Sequence, residues 1–428
     1  MKQLTLLPTR EISGELTLPG SKSLSNRALL LSALAEGTTR LKNLLQSEDT
    51  ERMVQALRQL GIKISLSSTG EFCEVQGNAG LFGTPKLKIF SLGNAGTVIR
   101  PLTAILSLIP GEFLIDGDQY MRERPIKHLV DALCSRGAEI TYRGKADCPP
   151  IMIKGGLVEG GNISVRGEIS SQYLTSLLMA FPLAQKNSKI KIVGDQVSKP
   201  YLDITLEMLK TFQVTAAHEN YEVFRIPGGQ KYRSPGMFLI EGDASSASYF
   251  FGAAAISRSR VRVHGIGKNS IQGDYQFLKV IEYMGARVER SDEWTDVIGG
   301  HLRGVDVDLN HIPDAAMTIA TIALFAKGPT TIRNIYNWRV KETDRMHAMA
   351  EGLTRLGASV QTKEDSITIN PPSEIAAATI DTYGDHRIAM SFSLAALGNA
   401  PITIKDPDCT KKTFPGYFDV FESLSIKR

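Results

Sequence analysis

Ala56-Leu57-Arg58-Gln59-Leu60-Gly61 reads as the last turns of a short helix stopped by a glycine, and the pattern recurs along the chain. It returns as Ala132-Leu133-Cys134-Ser135-Arg136-Gly137, as Ile281-Glu282-Tyr283-Met284-Gly285 and as Leu353-Thr354-Arg355-Leu356-Gly357. A weaker copy, Met208-Leu209-Lys210-Thr211-Phe212-Gln213, falls where the spacing asks for it, and 421–425 supplies a sixth near the end. The closing Gly or Gln is expected just past the helix end, where the backbone often turns to positive φ. A period of about 70 to 76 residues makes the chain a set of similar units.

Working outward from those helix ends, each unit also has an opening: from Ser23, Asn94, Ser170, Asp243, Asp314 and Asp385 the chain runs into mostly apolar sequence, such as 28–35, 97–108 and 389–397. Little polar surface interrupts these runs, so the helices they form are expected to be buried. Each buried helix leaves a first turn of unpaired backbone N–H groups, a ready place for an anion. The unit is expected to run strand, buried helix, strand, short helix, strand, strand, with strands near 86–90, 113–116, 189–193, 260–264 and 330–335. A doubly wound nucleotide-binding fold would need Gly-x-Gly-x-x-Gly after its first strand, and Gly93-Asn94-Ala95-Gly96 has the wrong spacing for it.

Six units divide into three and three, and 428 residues exceed what one core usually serves. The expectation is an α/β (α+β) chain of two similar lobes, each of three βαβαββ units. Pro19-Gly20-Ser21 and the stretch 232–242 are the places where composition permits hinges. Lobe one is then 1–20 plus 240–428, lobe two 21–239, with an active site in the cleft between them that closes on its substrate.

Composition narrows the function. The 49 basic and 45 acidic residues leave a net charge of +4 without a basic tail, which favours a locally positive cleft for small anions over a nucleic-acid surface. Four cysteines without metal-ligand spacing suit a reducing compartment, and the first twenty residues lack the apolar core of a signal peptide. No run approaches a membrane span. A cytoplasmic enzyme with no membrane and no nucleic-acid partner is expected, and the sequence carries no positive signal for an interface between copies.

The helix openings carry the chemistry. Lys22, Ser23, Ser25, Asn26 and Arg27 open the first, where cations, short polar side chains and free N–H groups can grip a phosphate or carboxylate. A capped helix with solvated bases is the plain alternative, although bases at a helix start oppose its dipole unless an anion joins them. Gly93-Asn94-Ala95-Gly96-Thr97 opens the second with almost no bulk, either for close backbone approach to a ligand, with Arg100 one turn inside, or as a packed tight turn. Arg124, stiffened by Pro125, is expected to take a carboxylate partner. Ser170-Ser171-Gln172 offers neutral donors that also suit simple capping. Asp314 opens the fifth helix, and Lys341, Glu342, Asp344 and Arg345 follow Trp338, with Lys341 and Arg345 expected on one helix face. Asp385-His386-Arg387 opens the sixth, and Lys412 lies near the end; His386 lacks a second ligand at useful spacing, so no metal site is expected.

Taken together, 18–27, Gly93-Asn94-Ala95-Gly96-Thr97, Arg122-Glu123-Arg124-Pro125, Ser170-Ser171-Gln172, Lys341-Glu342-Thr343-Asp344-Arg345 and Asp385-His386-Arg387 make the chain resemble, over essentially its whole length, the 5-enolpyruvylshikimate-3-phosphate synthases of the enolpyruvyl transferase family. The resemblance implies two pseudo-threefold lobes and transfer of the enolpyruvyl group of phosphoenolpyruvate to the 5-hydroxyl of shikimate 3-phosphate. The implied route is a tetrahedral intermediate, without metal or organic cofactor. It implies Lys22, Ser23, Arg27, Ser170, Ser171, Gln172, Ser198, Tyr201, Asp314, Asn337 and Lys341 around shikimate 3-phosphate. Lys22, Asn94, Gly96, Arg124, Gln172, Arg345, Arg387 and Lys412 are implied around phosphoenolpyruvate. Lys22, Asp314 and Glu342 are the implied catalytic groups, Asp314 as base for the 5-hydroxyl and Glu342 as the favoured proton donor. Family members are glyphosate targets, and a small Gly96 resembles the sensitive form. A sister activity that acts on a nucleotide-linked sugar usually has a reactive cysteine in the loop corresponding to 118–125, where this chain has none. A non-enzymatic repeat scaffold would not gather chemically related charges at its helix starts.

Overall fold

The computed structural model describes residues 2–67, 72–83 and 87–427, and its chain divides into two compact units. One is the continuous segment Gly20–Ile240; the other joins Met1–Pro19 to Glu241–Arg428. Among the described residues, twelve α-helices alternate between a buried and an amphipathic type.

In the continuous unit the helices are α1 (Lys22–Leu34), α2 (Glu48–Gln59), α3 (Gly96–Leu108), α4 (Lys127–Cys134), α5 (Ser171–Ala180) and α6 (Pro200–Thr211). Every side chain of α1 except that of Ser23 is buried, as its unbroken Ala-Leu-Leu-Leu sequence requires. The even-numbered helices bury one face only. The chain stops them as the repeat predicts, because Gly61, Gly137 and Gln213, directly after the last helical turns, all have positive φ. Three four-stranded sheets accompany the helices. In the second of them Lys88–Ser91 runs parallel to Gly111–Asp116, which pairs antiparallel with Ile151–Gly155, and that in turn with Glu139–Tyr142. A parallel pair needs a long crossover, and the buried helix α3 provides it. Of the expected strand 86–90, Lys86 lies outside the described residues.

The first sheet of this unit is completed from the far end of its sequence. Thr38–Lys42 finds its parallel partner in Met237–Leu239, and Glu36 bridges to Arg233. α3 packs on α5, and α1 on α2 and α6, so the three buried helices and their partners share apolar contacts such as Leu29, Ile99, Leu102, Leu174 and Leu177.

The discontinuous unit repeats the plan with α7 (Ala244–Ser257), α8 (Phe277–Met284), α9 (Ala316–Ile322), α10 (Arg345–Arg355), α11 (His386–Ser393) and α12 (Tyr417–Ser423). All residues of α9 and α11 are buried. Gly285 and Gly357 again carry the positive φ that ends α8 and α10. Here the N-terminal residues supply the missing strands: Gly14–Thr17 lies parallel to Arg260–His264, and Gln3–Leu6 lies antiparallel to Ile402–Lys405. One apolar core runs through the unit, holding Leu16 and Leu18 of the N-terminal segment with Phe250, Trp338, Phe392 and Tyr417.

Candidate functional site

In the continuous unit the starts of α1, α3 and α5 carry the polar residues that sequence singles out. Ser21 begins α1, and Lys22, its first residue, is 6% exposed with Nζ 3.6 Å from the Asp49 carboxylate of α2. Arg27 lies one turn deeper. Its Nη1 donates to the Ser23 carbonyl at 3.0 Å, its Nε to the Thr205 hydroxyl at 2.9 Å and its Nη2 to the Tyr201 carbonyl at 3.3 Å. Burial lowers the Arg27 pKa to about 10, which still leaves a cation at neutral pH. No carboxylate partner of Arg27 is found among the described contacts, so its donors meet only neutral oxygens.

The second group gathers around Gly96, the first residue of α3. A β-carbon there would stand 2.5 Å from Arg100 Nη1, 3.0 Å from Arg124 Nη2 and 3.1 Å from Gln172 Oε1. Only a residue without a side chain lets two guanidinium groups and an amide come this close to the backbone. Arg124 is in turn held by Asn94, donating from Nη1 to its side-chain oxygen at 2.8 Å and to its carbonyl at 3.2 Å. Among the described contacts Arg124 meets the neutral oxygens of Asn94 and no carboxylate. Ser170 caps α5, accepting from the Gln172 N–H at 3.2 Å. A small pocket lined by Asn26, Arg27, Gly96, Thr97, Gln172 and Thr175 joins the Arg27 group to the Gly96 group. Ser198 is buried with φ of 55°, a left-handed conformation uncommon for serine.

In the discontinuous unit the corresponding helix starts are acidic, with Asp243, Asp314 and Asp385 recurring about every 71 residues. Asp243 and Asp385 cap α7 and α11. Asp314 does not cap; it precedes α9 and points its carboxylate into cations. Arg345 Nη1 lies 2.8 Å from it, Arg387 Nη2 3.0 Å and Lys341 Nζ 3.6 Å. Burial alone would raise the Asp314 pKa, but Arg387, Lys341 and Arg345 outweigh it and hold the carboxyl well below the usual range. The Trp338 indole fixes the preceding residue by donating to the Pro313 carbonyl at 2.7 Å.

Arg345 is 1% exposed and divides its donors among three carboxylates: Asp314, Glu342 at 2.9 Å and Asp385 at 2.7 Å. Lys341 and Arg345 do not share a helix face. Lys341 ends the 3₁₀ turn Tyr336–Val340, and α10 begins only at Arg345 with Asp344 as its cap, because that aspartate takes the His347 N–H at 3.1 Å. Asn337 is buried in the same turn, and Lys412 is buried in the turn Pro407–Lys412 that packs on α11. Among the described residues there is no group of three His, Cys, Asp or Glu side chains placed to hold a metal ion.

Two residues here, Asp49 and Asp274, escape a sequence reading, and Arg100 is visible there one turn inside its helix but not as the partner of Gln172. Asp49 lies in the first turn of α2, and nothing local marks it as the partner of Lys22. Asp274 is buried beside α7 and accepts from the Ser245 hydroxyl. Burial and the nearby Asp314 raise its pKa to about 7.

The fold is the one that solved enolpyruvyl transferases share. The chain covers 100% of its length on the solved enolpyruvyl transferase NikO from Streptomyces tendae, with TM-score 0.78 at 16% identity, a likeness of fold. EPSP synthase from Acinetobacter baumannii superposes with TM-score 0.83 at 27% identity, covering 100% of this chain and 99% of that one. Curated relatives named 3-phosphoshikimate 1-carboxyvinyltransferase are 56% identical in Yersinia pseudotuberculosis serotype O:3 (strain YPIII), over 99% of both chains, and in Sulfurovum sp. (strain NBC37-1), over 99% of this chain and 100% of that one. The pattern of the EPSP synthase (3-phosphoshikimate 1-carboxyvinyltransferase) family matches residues 7–421, and the chain belongs to that family.

Proposed function

We infer that this chain transfers the enolpyruvyl group of phosphoenolpyruvate to the 5-hydroxyl of shikimate 3-phosphate, giving 5-enolpyruvylshikimate 3-phosphate and inorganic phosphate. The observation that carries this reading is 56% identity to named 3-phosphoshikimate 1-carboxyvinyltransferases along 99% of the chain. The geometry suits it. Phosphoenolpyruvate puts a carboxylate and a phosphate on three carbons, and the Arg124, Gln172 and Gly96 backbone group offers converging donors of that kind. Asn94, Lys22, Arg345, Arg387 and Lys412 are proposed to complete its contacts. Lys22, Ser23, Arg27, Ser170, Ser171, Gln172, Ser198, Tyr201, Asp314, Asn337 and Lys341 are proposed to hold shikimate 3-phosphate.

In the proposed chemistry Asp314 accepts the proton of the 5-hydroxyl as that oxygen attacks C2 of phosphoenolpyruvate, while Glu342 gives a proton to C3. The Glu342 carboxylate then takes a proton back from C3 as the C2–O bond to phosphate breaks, which restores the double bond and releases inorganic phosphate. Asp314 is a weak base while three cations surround it. An incoming anion that takes up Arg387 and Lys341 removes part of that stabilisation and raises its basicity where it is needed. Cations beside the phosphate stabilise the charge that develops on the leaving group.

A phosphate-release assay with both substrates tests the reading, with Lys22→Met as the control. Turnover that needs both substrates and falls at least about 100-fold in the control is expected. No release from the pair, or turnover with a nucleotide sugar instead, would overturn it. The setting implied is a cytoplasmic monomer; no helix among the described residues is long and apolar enough to cross a membrane.

A further inference from the structure

Of the three side chains around the missing β-carbon of Gly96, two have proposed ligand roles and the third, Arg100, has none. Arg100 is 4% exposed, a guanidinium committed to the interior. Its Nη1 donates to Gln172 Oε1 at 2.5 Å, and its Nη2 donates to the Pro125 carbonyl at 3.1 Å. The Tyr173 hydroxyl donates to that same carbonyl at 2.9 Å, and the Tyr173 ring centroid is 5.6 Å from the guanidinium carbon. Pro125 directly follows Arg124, and Tyr173 directly follows Gln172. One buried cation therefore ties together the two chain segments that carry Arg124 and Gln172.

We propose that Arg100 is a positioning residue for the transfer: it turns the Gln172 amide so that the oxygen faces inward and the NH2 group faces the bound anion, and it holds the Arg124 segment beside it. The argument is chemical. A glutamine amide has an acceptor at one end and two donors at the other, and rotation about its last bond exchanges them. An anion site gains from the donor end and is opposed by the acceptor end. Arg100 has only donors to offer, so it accepts one orientation of Gln172 alone. A charge-assisted hydrogen bond of this kind biases the orientation by roughly tenfold to a hundredfold. The absence of a side chain at Gly96 is what leaves room for the Arg100 hand to reach Gln172 at all.

The inference rests on the reading of this group as a phosphoenolpyruvate site, and its test separates the two. Arg100→Lys, Gln172→Ala and the double variant are compared by phosphate release, reading KM for phosphoenolpyruvate against kcat, with thermal melting of each. Arg100→Lys is expected to raise KM about tenfold or more with a smaller change in kcat, and most of that effect should vanish when residue 172 is already alanine. Equal penalties in both backgrounds, or an unchanged KM, would overturn the proposal. If Arg100→Lys does not fold, Gln172→Glu decides. With one carboxylate oxygen on Arg100 the other faces the anion, so phosphoenolpyruvate should bind at least about tenfold more weakly than to Gln172→Ala. Equal binding to the two overturns the orientation. A wild-type protein that releases no phosphate from the substrate pair refutes the proposed function instead.

Discussion

A methyl group at Gly96 has flexible side-chain ends in its way, 2.5 Å from Arg100 and 3.0 Å from Arg124, so the variant folds by pushing them aside. Gly96→Ala is therefore expected to raise KM for phosphoenolpyruvate about tenfold while leaving the affinity for shikimate 3-phosphate within about twofold, the loss of one well-made charged hydrogen bond. Glyphosate, competing for the same donors, should lose at least as much; unchanged inhibition constants in steady-state assays would contradict the placement. Asp274 yields a second test, through pH. Its folded pKa, raised to about 7 by burial, stands above the ordinary 3.8, so the folded state holds a proton that the unfolded chain has lost between those values. Stability should fall as pH rises from about 4 to 7 and level off above. Asp274→Asn keeps the acceptor for Ser245 and removes that slope, so it should gain stability relative to wild type at pH 8 but little at pH 4. Urea melts at the two pH values that give the same difference would rule this out.

At the scale of elements, the positive φ after five of the six short helices was legible because glycine is the residue that tolerates it, and a period of glycines is visible in one sequence. The sixth copy, 421–425, departs from the pattern, since Leu424 after α12 has φ of −94° and the chain runs straight into a strand. Gln213 occupies the same kind of position with φ of 61°. Gln213→Gly should therefore stabilise the fold, by roughly 1 kcal/mol, whereas Gly61→Ala, with open space around its β-carbon but φ of 91°, should cost about 1 to 2 kcal/mol. Thermal melts that move in the opposite directions would refute the account. The helix openings were legible for the same reason, as short polar runs before apolar ones. What stayed hidden was pairing across elements. That Lys341 stands outside α10 depends on Asp344 capping the helix, and that Arg100 meets Gln172 depends on α3 packing on α5, neither of which a local pattern carries. Arg345, almost wholly buried among three carboxylates, was readable as a cation but not as the hub of an ion cluster. Its replacement by methionine should destabilise the discontinuous unit by about 3 to 5 kcal/mol, because Asp385 and Glu342 lose a buried cation, while Asp314 keeps Arg387 and Lys341.

At the scale of the whole molecule, each unit closes its own sheets and owns its own buried helices. The continuous segment Gly20–Ile240 brings its last strand back to its first sheet, so both of its ends are paired within it. Expressed alone it should fold, with a cooperative urea transition and dispersed amide resonances. A collapsed state without fixed side-chain signals would show that the unit depends on the rest of the chain.

The pairing of Gln3–Leu6 with Ile402–Lys405 also has a consequence for the making of the protein. A ribosome working at roughly 5 to 20 residues per second needs about 20 to 80 seconds between releasing the first strand and releasing its partner. Throughout that interval the strand Gln3–Leu6 waits for its partner, although Gly14–Thr17 can pair as soon as Arg260–His264 has been made. Nascent chains arrested before codon 400 should therefore present this tail to proteases and chaperones, and lose that vulnerability once synthesis is finished.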